Sequence, residues 1–186
     1  MQDFSAYIEH WGTFYFTVAA VSGTLLGLLF VAVSLNVDTM RRTKFSDLRI
    51  MGYQTYFNYL MVLLVALIFL IPEQTQTGMG IMVLLVGAAG VTVSIRQIQS
   101  AERNPEHPIL GAYFYKPLFM LQISAVGFVC FAGMMILAIL VLAGQALGVS
   151  LLFIPVAALI VSATETTWNF LTHGNYHAPE EHGANN

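Results

Sequence analysis

Long runs of apolar residues alternate with short polar connections along this chain. A hydrocarbon layer of about 30 Å is crossed by about 20 helical residues rising about 1.5 Å each. Five runs reach that length and predict membrane-spanning helices at about residues 13–36, 53–71, 79–96, 118–143 and 149–171. Most of their ends coincide with residues that stop or start a helix. Pro72 follows the second run, Pro117 opens the fourth, and Gly144 and Gly148 bracket the turn into the fifth. The third run is short and carries Gly80, Gly87 and Gly90, yet the charge pattern fails without it. The expected fold is all-α: a five-helix membrane bundle over residues 1–172. A polar tail, 173–186, is broken by Gly174 and Pro179 and is expected to be mobile.

Charge gives the bundle a direction. The seven basic residues are Arg41, Arg42, Lys44, Arg49, Arg96, Arg103 and Lys116, all in or beside the first and third connections. Five spans place those two connections on one face, which the positive-inside rule makes cytoplasmic. The N-terminus is then expected outside and the C-terminus inside. The N-terminal residues carry acids and no Lys or Arg, so the first run is expected to stay as a membrane helix. Trp11, Phe14 and Tyr15 mark the outer interface; Tyr53, Tyr56, Tyr113, Tyr115 and Trp168 mark the inner one. Phe4, Tyr7, Trp11 and Phe14 recur every three or four residues, which suits either a short helix on the outer surface or a frayed end with aromatic anchors.

Composition agrees with this picture. Only 9% of the residues are charged and 57% are apolar, whereas a water-facing surface needs about a quarter charged. A net charge of −3 excludes a strongly basic nucleic-acid binder, so no nucleic-acid partner is expected. Cys130 is the single cysteine and cannot form an intrachain disulfide.

Within the first run, Ala19, Gly23 and Gly27 form a ladder of small residues that lets helix backbones approach closely in lipid. Such a ladder serves packing inside the chain or assembly between subunits. Gly87, Ala88 and Gly90 in the third run, and Gly127 and Gly133 in the fourth, offer similar faces. Residues 22–36, SGTLLGLLFVAVSLN, resemble the opening span of a broad set of small polytopic bacterial membrane proteins of uncharacterised function. That resemblance implies a bacterial inner-membrane protein and carries no mechanism with it.

Glu165 is the one acid well inside a span. Carboxylates are costly in hydrocarbon and face a cavity or a partner. Ser162, Glu165, Asn169 and Thr172 follow helical spacing, and Asn36, Gln54, Asn58, Arg96 and Gln122 all fall toward the same ends of their helices. These residues are candidates for a polar chamber that holds an ion or ligand. The competing reading is that Glu165 snorkels to the interface or pairs structurally with Arg96. Pro155 interrupts the fifth run and leaves the Leu151 carbonyl without its usual donor.

His173, His177 and His182 with Glu180 and Glu181 offer metal-ligand types, but Gly174 and Pro179 argue against the helix that would align them, and no metal or cofactor is expected. No nucleophile elbow, zinc-protease motif or phosphate loop occurs, and no catalytic residue is assigned. The expected function is a non-enzymatic membrane subunit that assembles with itself or another membrane protein within the lipid bilayer. The alternative is a small ion channel or carrier using the polar cluster around Glu165.

Overall fold

The computed structural model describes residues 4–35, 46–103 and 116–174. Over these residues the chain is helical: α1 Phe4–Leu35, α2 Ser46–Phe69, α3 Gln76–Arg103, α4 Lys116–Leu142, a short α5 Ala146–Leu151, and α6 Phe153–Gly174. Five helices are long and apolar enough to cross a membrane, with α5 and α6 together making the fifth. The helices outrun the apolar stretches from which they were read, because the flanking polar residues continue the same backbone hydrogen bonding. The third, shortest in hydrophobicity, is a helix of 28 residues.

The N-terminal aromatics belong neither to a separate surface helix nor to a frayed end. Residues from Phe4 onward continue α1, whose 32 residues would rise about 48 Å, well beyond the hydrocarbon layer. The extension is held by the last span. The Tyr7 hydroxyl hydrogen-bonds that of Ser150, and the Trp11 ring stacks on Phe153 with centroids 6.2 Å apart.

The turns at the end away from the basic connections are built by local chemistry. At the end of α4, Gly144 takes φ +85, a left-handed conformation that glycine adopts without a Cβ penalty. The Gln145 N–H then donates to the Leu140 carbonyl (3.0 Å) and the Gly144 N–H to that of Val141 (3.0 Å), closing a Schellman motif. Thr75 caps α3 by accepting the Gly78 N–H at 3.2 Å, and Gln76 Nε2 donates to the Val141 carbonyl at 2.6 Å. Pro155 acts as its chemistry requires: the helix breaks at Leu152, where the Leu151 carbonyl loses its donor four residues on.

The chain passes up and down, with α2 and α4 antiparallel to α1, α3 and α6. Tyr15 of α1 stacks on Phe69 of α2, while Leu29, nearer the other end of α1, shares a cluster with Tyr59 and Ala163. The most extensive interface joins α3 to α4. A Cβ at Gly80 would lie 2.7 Å from Leu142, and one at Gly87 2.7 Å from Met135, so these glycines set how closely the two helices approach. Helix α2 packs between α1 and α6 and is the most enclosed span, 61% buried over its apolar window; α1 is the least, at 17%. Exposed hydroxyls on the outer faces do not stay unsatisfied. Thr17, Thr24, Ser34, Thr92 and Thr164 each donate to the carbonyl four residues earlier, at 2.8–2.9 Å.

Candidate functional site

Side-chain contacts fix the relative heights of the helices. Phe57 of α2 meets Phe131 of α4 edge-on at 6.1 Å, and Phe131 in turn lies on Gly90 of α3. One turn further toward the basic end, a Cβ at Gly127 would stand 3.6 Å from Ser94 Oγ. The Tyr59 hydroxyl is 3.1 Å from that of Thr164, which registers α6 against α2. Phe131 therefore marks a level with different chemistry on its two sides. On the side away from the basic connections the core is mostly apolar, with Met61, Val65, Met79, Val83, Met134, Ala138, Leu152 and Leu159 buried, but Ser22 and the Tyr15 hydroxyl are also buried there with no hydrogen-bond partner among the described residues. At and below that level the buried residues include Gln54, Thr55, Asn58, Ser94 and Thr166, with Ser162 just above.

The candidate group of the sequence is divided by this arrangement. Gln54 and Asn58 lie one turn apart on the enclosed side of α2, and Ser162 lies on the enclosed side of α6. Glu165 is exposed just beyond the edge of that side of α6, in an open groove that it forms with Ile160, Val161, Thr164 and Trp168. Three residues along a helix turn the side chain by about 60°. That rotation is enough to separate Glu165 from Ser162 at the edge of the buried face. Arg96 is exposed on α3, and α3 shares no extensive interface with α6. Gln122 and Asn169 sit in α4 and α6 among residues whose side chains are not described; the same holds for His173. Asn36, His177 and His182 lie outside the described residues. Among the described residues no three His, Cys, Asp or Glu side chains are grouped to hold a metal ion.

Five buried or inward-facing polar residues among those described escaped the sequence reading: Ser22, Thr55, Ser94, Gln97 and Thr166. A signal for Thr166 existed, since it follows Ser162 by one turn and repeats the spacing of Gln54 and Asn58. Its hydroxyl donates to the Ser162 carbonyl at 2.8 Å and keeps a lone pair to accept with. Gln97 continues the α3 face that buries Met79, Val83, Gly90 and Ser94. Two carboxamide nitrogens in this region, Asn58 Nδ2 and Gln97 Nε2, are buried with no hydrogen-bond partner among the described residues.

The small-residue ladder also takes a definite place. Ala19 packs against the core, but a Cβ added at Gly23 or Gly27 would meet nothing within 4 Å. Gly133 is likewise open, whereas Gly87 and Gly90 are closed by α4. Comparison with protein-family models, curated proteins and solved structures finds no match.

Proposed function

We propose that this chain is a non-enzymatic, multi-pass subunit that assembles within the membrane, with copies of itself or with another membrane protein. The observation that carries this reading is a contrast between glycines. Gly80, Gly87 and Gly90 are covered by the chain's own helices, while Gly23 and Gly27 stand open on the least buried span. Lipid tails are as apolar as leucine, so helices associate there through close backbone approach at small residues. An open ladder on α1 suits a helix from another chain.

The proposed setting is a bacterial inner membrane, on the resemblance of residues 22–36, with the N-terminus outside and the C-terminus inside. Orientation rests on the seven basic residues gathered at one end. The test is Gly27→Leu. Wild-type protein in lipid nanodiscs or mild detergent is expected to exceed the mass of one chain, and the variant to fall toward it with its melting temperature unchanged. A monomeric wild type that copurifies with no other membrane protein refutes the reading, as does a variant that assembles normally.

A second reading, a small channel or carrier, is favoured by the buried polar side chains Gln54, Asn58 and Ser162. Solute or ion flux in liposomes that depends on Asn58 or Glu165 would select it over the subunit reading.

A further inference from the structure

Glu165 and Arg96 stand at one height on two helices that do not pack together. Each lies three residues from the basic end of its apolar span, Leu147–Trp168 for Glu165 and Gln76–Gln99 for Arg96. Three residues are about 4.5 Å of helical rise, so both charges fall just within the apolar spans. Both side chains are exposed, and α3 and α6 run in the same direction. Each of these helices packs against α2 and α4, but they share no extensive interface, so the two charges stay apart within one chain. A charge facing lipid is costly, and charged residues in membrane spans pair with one another.

The surroundings of the two charges match as well. Leu85, Ala89, Thr92 and Arg96 form an exposed stripe of α3, spaced four, three and four residues apart. Ala157, Val161, Glu165 and Trp168 form an exposed stripe of α6, spaced four, four and three. That is the spacing by which one helix lies along another. Ala89, Thr92 and Ala157 are small enough to let backbones approach, and the Thr92 hydroxyl already donates to the Ala88 carbonyl at 2.8 Å. Resting on the self-assembly reading above, we propose that the α6 stripe of one copy docks on the α3 stripe of the next, with Glu165 paired to Arg96. An α6–α6 contact would set carboxylate against carboxylate, and an α3–α3 contact cation against cation. Head-to-tail contact is the arrangement that charge permits. A guanidinium offers five N–H donors, so a neighbour's carboxylate can join the contact that Arg96 already makes. An amine-headgroup lipid fits less well. Its phosphate lies between the ammonium and the acyl chains, so reaching Glu165 would set a second anion beside the carboxylate.

Thr92→Cys and Val161→Cys, each one turn from its charge, are made in a Cys130→Ala background, which removes the chain's single thiol. Copies bearing the two substitutions and different tags are co-expressed, and their membranes are oxidised with copper phenanthroline. A disulfide needs Cα atoms within about 7 Å, so the doubly tagged dimer is expected at least about fivefold above the dimer from either copy alone. Arg96→Glu in the Thr92→Cys copy, or Glu165→Arg in the Val161→Cys copy, is expected to cut it by about fivefold or more, and both together to restore it. Val161→Cys joined to itself as strongly, or charge reversal without rescue, overturns the proposal. If the wild type in nanodiscs exceeds the mass of one chain yet no doubly tagged dimer forms, this contact is wrong and self-assembly through another face stands. A wild type with the mass of one chain overturns this contact and self-assembly together. Should the reversed variants fail to fold, the cysteine pair with both charges intact decides the matter by itself.

Discussion

The ring of Phe131 in α4 lies so closely on the backbone of Gly90 in α3 that a Cβ at Gly90 would overlap it. The same ring meets Phe57 of α2, so one side chain joins three helices. Gly90→Ala should force that ring aside and destabilise the chain by about 1–3 kcal/mol, the range for overpacked cores. Gly133→Ala, where a Cβ meets nothing within 4 Å, should be neutral or slightly stabilising through helix propensity. Denaturant unfolding in a common detergent compares the two. Equal effects would mean that the Phe131–Gly90 contact does not hold the helices together.

The helices themselves were legible because the period and length of apolar runs are set by the bilayer and need no tertiary information. Turns at Pro72 and Gly144 were legible for the same reason: their backbone chemistry is local. The faces were not. Gly23 and Gly90 look alike in sequence, and only the partner helix decides which is covered. Glu165 and Ser162 sit three residues apart and fall on either side of the boundary between exposed and buried faces, a difference of about 60° that no spacing argument resolves. Ser94 and Thr166 were passed over because hydroxyl residues are common in membrane helices and satisfy themselves on the preceding turn.

The turns after α2 and after α4 differ in how they meet a left-handed residue. Gly144 has φ +85 at the end of α4, and Glu73 has φ 53 between α2 and α3. Gly144→Ala should cost about 1–2 kcal/mol, since a Cβ is unfavourable in that region. Glu73→Asn should gain up to about 1 kcal/mol, because asparagine tolerates the conformation better. Thermal unfolding of both variants checks the opposite signs. A stabilising Gly144→Ala would contradict the Schellman geometry.

Orientation gives a prediction of a different kind. Reporter domains fused after Gln76 and Gln145 should be exported, and those fused after Lys44, Asn104 and Ala184 should remain cytoplasmic. The basis is the placement of all seven basic residues around the first and third connections. An exported reporter at Asn104 alone would remove the third span and reverse every segment that follows.

Glu165 supplies the sharpest test of how the outer surface is used. It is exposed beside Thr164 and Trp168, within an apolar span that runs from Leu147 to Trp168. A carboxylate held at the bilayer centre costs about 2.5–3.5 kcal/mol, and less toward the interface where tryptophan sits. Because the side chain is exposed, Glu165→Gln should leave the unfolding of the chain in detergent unchanged to within about 0.5 kcal/mol, as for other surface substitutions. A loss of more than about 2 kcal/mol would show that the bundle itself depends on the carboxylate, contrary to its outward placement. The behaviour in lipid then separates two roles. Where a second membrane helix brings a donor or a cation to this groove, Glu165→Gln weakens assembly and Glu165→Ala abolishes it, with the fold intact. Where the carboxylate only reaches for the headgroups, both variants assemble as the wild type does. Native mass measurement of the three proteins in nanodiscs distinguishes these outcomes, and wild-type assembly of Glu165→Ala would rule out a partner at this face.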